Sequence, residues 1–440
     1  MSGAAGDGPA ARESVAVARS PLLLLFAIAV SGCAGGGAPP GPPQARAEAA
    51  RANARGGAPS VIKHVVVIIQ ENRTVDNLFN GFPGADTVRA YVDPAGRIVL
   101  LQPLSLAAPV EINHSHSAFV TDFAGGSMNG WPAPAYSYVP QRETQRYFSV
   151  AGNYGFADHV LQANEGPSFP AHQYLIAGQS GGFDTDREAL AENVAGQTTC
   201  AAKSQPAVAE MLMTSDYPGD ESGSAFPCKN YGTIFDLLDA AHYTWRYYVH
   251  SITWFWSGPT AVSHIWFGPD RANIITPETN VLTDIANGAL PTVAYVTPSV
   301  ANSDHARGSA ALGYATDPEA GQKWVASIVN AIGESAYWKD TAIFVTWDDW
   351  GGWFDHYKPN RPANSPQDPY EYGFRVPLVA ISPYVIPHRV DHTERSYVAI
   401  LRFIETTFGL PSLGSLDALE PDDLTSMFDF SERPLQFVPM

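Results

Sequence analysis

The sequence predicts an α/β fold in which a mixed, mostly parallel sheet is sandwiched between helices. Short apolar runs, rich in β-branched and aromatic residues, alternate with longer stretches of helical periodicity. The apolar runs are nearly continuous, which is typical of strands buried on both faces. Of the 440 residues, 45% are hydrophobic and 16% are charged, so the chain can bury a large core. No internal repeat interrupts this pattern.

Five segments are predicted as strands because each is short, apolar and rich in residues that favour sheets. They are VIKHVVVIIQ (61–70), YTWRYYV (243–249), TVAYVTP (292–298), TAIFVTW (341–347) and VPLVAISP (376–383).

Helices are predicted between and after these strands, at 232–242, 317–338 and 394–409. In the second segment one face is apolar and is formed by Val325, Ile328, Val329 and Ile332. The third segment ends at Gly409, a usual C-cap residue. Residues 101–150 and 180–230 are rich in Gly, Pro and Ser, so we expect long loops that cover the active-site edge of the sheet.

The N-terminus has the features of an export signal of the lipoprotein type, which we place at residues 1–32. Arg19 precedes the apolar run 21–30, which is shorter than the roughly 20 residues that span a bilayer. The following VSGCAGGG resembles a bacterial lipobox, so Cys33 would be the acylated first residue of the mature chain. Cleavage at an ordinary signal-peptide site is the alternative.

Residues 33–60 are rich in Gly, Pro and Ala and are predicted to form a flexible tether. Residues 61–440 are predicted to form a single domain. We therefore expect an exported protein, periplasmic or at the cell surface, that is held at a membrane by a lipid on Cys33.

The formal net charge of -18 argues against nucleic acid or anionic lipid as a partner held by electrostatics. This net charge is compatible with a small phosphate ester that binds in a locally positive pocket. Cys200 and Cys228 remain after Cys33, and in an exported chain they favour one disulfide. No cysteine is then left for a thiolate metal site, so oxygen or imidazole would hold any metal ion.

Acidic and amide residues follow two of the predicted strands directly. Glu71 and Asn72 follow the first strand, and Asp348 and Asp349 follow TAIFVTW. Ligands of open α/β sheets bind beyond the carboxyl ends of the strands. Three carboxylates gathered there would repel one another unless a divalent cation neutralised them, and oxygen ligands favour Mg²⁺, Ca²⁺ or Mn²⁺ over Zn²⁺. Taken singly, each pair also fits a helix cap or a solvated loop.

Ser168 lies between two prolines in NEGPSFPAHQYL, just before an apolar, helix-like run. At a helix N-terminus, backbone N–H groups and the helix dipole favour an anion. Beside a metal ion the serine hydroxyl would become a nucleophile. A turn residue or a helix cap is the structural alternative. His172 lies one helical turn later, on the same side as Ser168.

Several histidines lie in loops flanked by Ser, Asp and Gly. His114, His305 and His356 are the candidates for donating to phosphate oxygens or protonating a leaving group. The spacing alone does not say which histidine does so.

Six segments together resemble the bacterial phosphoesterase family, which contains acid phosphatases and non-hemolytic, phosphatidylcholine-type phospholipases C. They are HVVVIIQENRTVDNLFNGFPG, NHSHSAFVTDFAGGSMNGW, NEGPSFPAHQYLIAG, LPTVAYVTPSVANSDH, TWDDWGGWFDHY and YGFRVPLVAISPYV with VDHTERSYVAILRFIE. The resemblance runs in the family's order from about residue 62 to 410. It implies an alkaline-phosphatase-like fold, a covalent phosphoserine and metal-dependent ester cleavage by the domain at 61–440.

The same resemblance assigns roles to individual residues. It makes Ser168 the nucleophile and makes Glu71, Asn72, Asp348 and Asp349 the ligands of one divalent metal ion.

The early and late histidines of the family fall on His114 and His305. The chain departs from the family at Ala171, where an asparagine is usual, and at Arg307, which stands in place of a glycine and is a candidate phosphate contact.

The resemblance leaves the substrate open between a small phosphate ester and a phospholipid headgroup. Phospholipases C of the family usually carry threonine at the nucleophile position and further C-terminal domains. Ser168 and the short C-terminal region therefore favour an acid-phosphatase-type phosphomonoesterase. The alternative is a phospholipase C that cleaves phosphatidylcholine-type lipids near the anchoring membrane. A third hypothesis is a non-catalytic surface lipoprotein on the same fold.

Overall fold

A computed structural model describes residues 61–93, 95–181, 188–193, 200–201, 208–212, 220–305, 317–360 and 372–440. Its strands are β1 (His64–Gln70), β2 (Ala90–Val92), β3 (Ile98–Leu100), β4 (Gln102–Pro103), β5 (Ser137–Tyr138), β6 (Gly155–Ala157), β7 (Val160–Leu161), β8 (Glu188–Leu190), β9 (Val208–Leu212), β10 (Asp220–Ala225), β11 (Trp245–Val249), β12 (Ile274–Ile275), β13 (Val293–Thr297), β14 (Thr341–Trp347), β15 (Leu378–Ile381), β16 (Arg389–Asp391) and β17 (Arg395–Ser396). Its α-helices are α1 (Val75–Leu78), α2 (His116–Phe123), α3 (Gln145–Asn153), α4 (Ser168–Ala177), α5 (Ile234–Ala240), α6 (Ser263–Phe267), α7 (Asn280–Ala286), α8 (Ala320–Gly333) and α9 (Ala399–Phe408).

One large sheet organises the fold, with the strand order β12-β11-β13-β1-β14-β15-β6-β16. All neighbouring pairs are parallel except β14 with β15 and β15 with β6. The five predicted strands are β1, β11, β13, β14 and β15, and all of them belong to this sheet. The predicted mixed, mostly parallel sheet is therefore confirmed.

The central strands explain the continuous apolar runs in the sequence. All residues of β13 and β14 are buried, as are all residues of β1 except the first. Helices flank the sheet: α8 contacts β14, and α3 contacts β6 and β15. Three other helices form a second group, in which α4 contacts both α5 and α9.

The three predicted helices correspond to α5, α8 and α9. In α8 the predicted apolar face is fully buried, at Val325, Ile328, Val329 and Ile332. Gly409 ends α9 in the left-handed region (φ 66°), and its N–H donates to the carbonyl of Glu405. Its lack of a Cβ suits this C-cap conformation.

The prediction of long loops at 101–150 was wrong in part, because α2 and α3 lie there. Ser115 caps α2 by accepting a hydrogen bond from the N–H of Ala118, and Phe119 on the next turn is fully buried. The Gly- and Pro-rich flanks of these short helices obscured their periodicity. In the region 180–230, β8, β9 and β10 form an antiparallel sheet, and Cys200 and Cys228 form the expected disulfide, with Cα atoms 4.8 Å apart.

Residues 1–60, including Cys33, lie outside the described residues, as does Arg307. The signal peptide, the tether, the lipid anchor and the domain boundary at 61 therefore stay predictions. Across the described part of the chain, no helix combines the length and apolar character that a bilayer crossing requires.

Candidate active site

Parallel pairing of β1 with β14 brings the two polar strand ends together. Gln70 and Trp347, the last residues of these strands, are partners in the register. The next residues, Glu71 and Asp348, therefore emerge at the same level of the sheet. The N–H of Asn72 donates to Asp348 Oδ1 at 2.9 Å. Asn72 adopts a left-handed conformation (φ 65°), which asparagine tolerates better than most residues.

Ser168 begins α4 and faces this cluster. Pro167, and not Ser168, is the N-cap residue, so the interpretation of Ser168 as a helix cap is wrong. The Ser168 hydroxyl instead donates to Asp349 Oδ2 at 3.1 Å. The other oxygen, Asp349 Oδ1, accepts from the N–H of Gly351 at 2.7 Å. The serine side chain is thus directed at the acidic pair and not at its own helix.

His172 joins the cluster from the next turn of α4. Its Nε2 lies 2.9 Å from Glu71 Oε1 and 3.7 Å from Asp348 Oδ2. Burial lowers the pKa of His172 to about 4, so the ring is neutral and able to act as a ligand. Donor atoms of Glu71, His172 and Asp348 all lie within 4.8 Å of one another. The helical spacing in the sequence placed His172 beside Ser168, but nothing local indicated its contact with Glu71.

The electrostatics of the site fit a bound cation. Glu71, Asp348 and Asp349 are fully buried. Burial raises the pKa of Glu71 well above its usual range, and the charge of Asp348 raises it further. The same two causes raise the pKa of Asp349. Three anions in one dry cluster are costly unless a positive charge or protons neutralise them.

Unpartnered oxygens give independent support for this fit. Within the described residues, three buried oxygens of the cluster have no hydrogen-bond partner: Glu71 Oε2, Asn72 Oδ1 and Asp348 Oδ2. A buried acceptor without a partner carries a desolvation cost of about 1–3 kcal/mol, and more when it is charged. Carboxylate and amide oxygens are the donors that hard divalent cations prefer. These residues, with His172, could therefore hold a metal ion.

Two of the three candidate histidines lie beside the cluster. His114 Nδ1 donates to the carbonyl of Ile112 at 2.8 Å, and His114 Nε2 lies 3.2 Å from Asn72 Nδ2. Because Nδ1 carries the proton, Nε2 accepts a hydrogen bond from the amide nitrogen of Asn72. The amide oxygen of Asn72 therefore faces away from His114. The ring of His305 lies 6.0 Å from that of His114 and stacks on Trp256 at 5.9 Å.

The third candidate, His356, makes its contacts in a different cluster. Its Nδ1 lies 2.6 Å from Asp76 Oδ2, and its Nε2 lies 3.2 Å from Asp86 Oδ1. Burial lowers the pKa of His356, but the hydrogen bond and charge of Asp76 and the charge of Asp355 outweigh burial, so the net pKa is raised. Arg375 lies 3.3 Å from the same Nδ1. The structure therefore brings His114 into contact with Asn72 and places His305 next to His114, whereas the contacts of His356 are with Asp76, Asp86 and Arg375.

An open cavity of about 440 Å³ adjoins the start of α4. Pro167 and His114 line it, as do Glu192 and Asn193. Asn193 Oδ1 accepts from the N–H of Phe169 at 2.8 Å, which places a polar side chain at the N-terminus of α4. The cavity is large enough for a small ester or a lipid headgroup.

The fold and site define an α/β protein with a serine–carboxylate centre, suited to holding a cation, at the carboxyl edge of its sheet. The chain belongs to the Phosphoesterase family, whose model matches residues 62–411. The family recognised from sequence motifs is thus confirmed.

Curated relatives of the chain are phospholipases C. The hemolytic phospholipase C of Pseudomonas aeruginosa is 23% identical over 88% of this chain and 58% of the relative. The non-hemolytic phospholipase C of Burkholderia pseudomallei is 25% identical over 86% of this chain and 61% of the relative. Phospholipase C B of Mycobacterium tuberculosis is 22% identical over 85% of this chain and 78% of the relative. The chain spans about three fifths of the length of the first two relatives.

Among solved structures, a protein in the alkaline phosphatase superfamily from Vibrio parahaemolyticus is 14% identical, with a TM-score of 0.37. The similarity covers 82% of this chain and 70% of that protein. A similarity at this level adds nothing to the family assignment.

Proposed function

We propose that the chain is a metal-dependent phosphoric ester hydrolase that acts through a phosphoserine at Ser168. The observation that carries this proposal is the hydrogen bond of 3.1 Å from Ser168 Oγ to Asp349 Oδ2, beside Glu71, His172 and Asp348. A hydroxyl at the first residue of a ten-residue helix also faces the anion-favouring end of that helix. Membership in the Phosphoesterase family supports a phosphate ester as the substrate.

The proposed reaction has two displacements. Ser168 Oγ attacks phosphorus, and its proton passes along the existing hydrogen bond to Asp349 Oδ2. The ester P–O bond breaks, and the leaving alcohol takes a proton from a histidine. Water then attacks the phosphorus of the phosphoserine and gives a proton to the histidine. The P–Oγ bond breaks and Asp349 returns its proton to Ser168 Oγ, which releases phosphate and restores all three side chains.

His305 is our candidate for the acid that protonates the leaving alcohol. The proton of His114 is engaged at Nδ1 by the carbonyl of Ile112, and its Nε2 accepts from Asn72. His114 therefore orients the Asn72 amide in this proposal, while His305 donates the proton. A catalytic role of His356 stays a prediction, since its contacts are with Asp76 and Asp86.

We propose one divalent metal ion at the cluster. Glu71, Asp348 and the amide oxygen of Asn72 would hold it, and His172 Nε2 is close enough to join them. When bound, such an ion neutralises phosphoryl oxygens and lowers the pKa of a neighbouring hydroxyl. The oxygen donors favour Mg²⁺, Ca²⁺ or Mn²⁺ over Zn²⁺. Ligation by Asp349 stays part of the proposal, although both of its oxygens already accept hydrogen bonds.

The first substrate class that we propose is phosphomonoesters, because Ser168 stands where phospholipases C of the family usually carry threonine. Phospholipase C activity is the second candidate, and the names of the relatives favour it. The non-catalytic hypothesis loses support, since nucleophile and acidic pair are both present and in contact. Export and a lipid anchor on Cys33 would place the catalytic domain beside membrane lipid.

The test is a panel of a chromogenic phosphomonoester, a phosphodiester and phosphatidylcholine vesicles, each with and without chelator. We expect turnover by the untreated protein and none by Ser168→Ala, whose thermal unfolding should stay cooperative. Ser149→Ala, on the exposed side of α3, is the matched control and should retain full turnover. Unchanged turnover by Ser168→Ala would overturn the mechanism. Release of diacylglycerol from the vesicles, with no monoester turnover, would select the second candidate.

A further inference from the structure

A second group of ligand-type side chains lies at the carboxyl ends of β6 and β16. These two strands are parallel, and Ala157 is the register partner of Asp391. The residues that follow, Asp158 and His392, therefore emerge side by side, and the N–H of Asp158 donates to the carbonyl of Asp391 at 3.2 Å. The strand arrangement is the same one that brings Glu71 to Asp348 at the other pair of strand ends.

The side chains of this group converge on one point. His392 Nδ1 lies 2.8 Å and 3.0 Å from the two carboxylate oxygens of Asp158. The ring of His159 lies 5.4 Å from the ring of His392. Donor atoms of Asp158, His159 and His392 are all within 4.8 Å of one another. Asp86 also contacts this group, because its Oδ2 lies 3.0 Å from His159 Nε2.

Burial and charge separate this group from an ordinary surface cluster. Asp158 is fully buried, while the side chains of His159 and His392 are 15% and 51% exposed, so an ion in solution can reach the imidazoles. The guanidinium of Arg375 lies beside this group: its Nη1 donates to the backbone carbonyl of Asp158 at 3.1 Å, while its Nε and Nη2 bond both oxygens of Asp355, at 2.8 and 3.2 Å. Its Nη1 is 3.8 Å from Asp86 Oδ2. The carboxylate of Asp158 thus lies beside two imidazoles, and its Oδ2 also accepts from the N–H of Asp86 at 2.7 Å.

We propose that Asp158, His159 and His392 form a second metal site, for a zinc-type divalent ion, with Asp86 or water as the fourth ligand. Two imidazoles and a carboxylate are a donor set that Zn²⁺ takes in tetrahedral sites. The donor set at Glu71, Asn72 and Asp348 is richer in oxygen, so the two sites should differ in their preferred ion. The proposal does not depend on phosphate ester hydrolysis.

The position in the sheet makes this second site structural. β6 lies two strands away from β14, and β16 lies three strands away. At about 4.8 Å between neighbouring strands, the two clusters are roughly 10–15 Å apart. Paired catalytic ions lie only about 3.5–4 Å apart. An ion here would tie the edge strand β16 to β6 and to the segment that carries Asp86.

The test is zinc binding by the full chain after chelator has been removed by dialysis. With Mg²⁺ in excess to fill the oxygen-rich cluster at Glu71, calorimetric titration with ZnCl₂ should give about one zinc ion per wild-type chain, and filling of this site should raise the midpoint of thermal unfolding. His392→Ala and, separately, His159→Asn should each bind about one ion fewer. Asp348→Asn, at the oxygen-rich cluster, should still bind the zinc ion at His392.

His388→Ala is the matched control, because this exposed histidine lies just before β16 and outside the group. It should bind as many ions as the wild type. The proposal is overturned if His392→Ala and His159→Asn bind as much zinc as the wild type. It is equally overturned if Asp348→Asn binds none while remaining folded. Both results are measurements of zinc binding and do not involve turnover. The hydrolase proposal is tested separately, by the activity of Ser168→Ala, so failure of one proposal can be distinguished from failure of the other.

Discussion

The hydroxyl of Ser168 donates a hydrogen bond of 3.1 Å to Asp349, which lies 181 positions later in the chain. The contact joins the start of α4 to the end of β14, two elements that meet only in the folded protein. It holds the hydroxyl toward the acidic cluster, and in the proposed mechanism Asp349 is the acceptor of its proton.

The first prediction concerns this acceptor. Asp349→Asn keeps the shape of the side chain but removes the carboxylate that accepts the proton of Ser168. We expect kcat for a chromogenic phosphomonoester to fall by at least about 100-fold, the usual size of a general-base contribution. Asp317→Asn, at a side chain that is 46% exposed, is the control and should leave kcat unchanged. A kcat of Asp349→Asn within twofold of the wild type would contradict the assignment.

The second prediction concerns metal removal. Chelation should abolish turnover and also lower the midpoint of thermal unfolding, because Glu71, Asp348 and Asp349 would be left buried without a neutralising cation. Adding back Mg²⁺, Ca²⁺ and Mn²⁺ in turn should restore both properties with at least one of them. Glu71→Gln should no longer respond to the ion that restores the wild type. Full activity after exhaustive chelation would refute a metal requirement.

The third prediction concerns His172, whose Nε2 lies 2.9 Å from Glu71 Oε1. We expect His172→Ala to weaken the affinity for the activating ion by about 10–100-fold, as loss of a ligand or of its orienting partner does. The measurement is the ion concentration that gives half-maximal turnover after chelation. Substitution of His264 by Ala, at a histidine that pairs with Asp236, provides the comparison. An unchanged ion requirement in His172→Ala would exclude His172 from the site.

The fourth prediction concerns stability and pH at Glu405, on α9. Burial, followed by the charge of Asp417, raises the pKa of Glu405 from 4.5 to about 8 in the folded protein. The folded state therefore holds this proton more tightly than the unfolded state, and stability decreases as pH rises from about 4.5 through about 8.

Glu405→Gln mimics the protonated acid and removes this dependence. The midpoint of thermal unfolding should fall less for Glu405→Gln than for the wild type between about pH 5 and pH 9. Glu334→Gln, at an exposed residue after α8, should follow the wild type. Parallel curves for wild type and Glu405→Gln would show that the buried carboxyl is not the cause.

Much of the fold could be predicted because burial leaves a local signature. The segment 341–347 coincides with β14 residue for residue, since a strand covered on both faces must be apolar throughout. The meeting of Glu71 with Asp348 was also predictable, because parallel strands present their carboxyl ends at the same edge. The short helix α2 could not be predicted, because its eight residues carry too little helical periodicity.

The sequence by itself determined the class of fold, the family and the residues that follow the central strands. These properties depend on local composition and on motif order. Only the tertiary structure decided which partners those residues have. His172 is 101 positions from Glu71, and His356 is 280 positions from Asp76, so their contacts depend on strand order and on the rotation of each helix against the sheet. That is why His172 enters the cluster around Ser168, whereas His356 lies in another one.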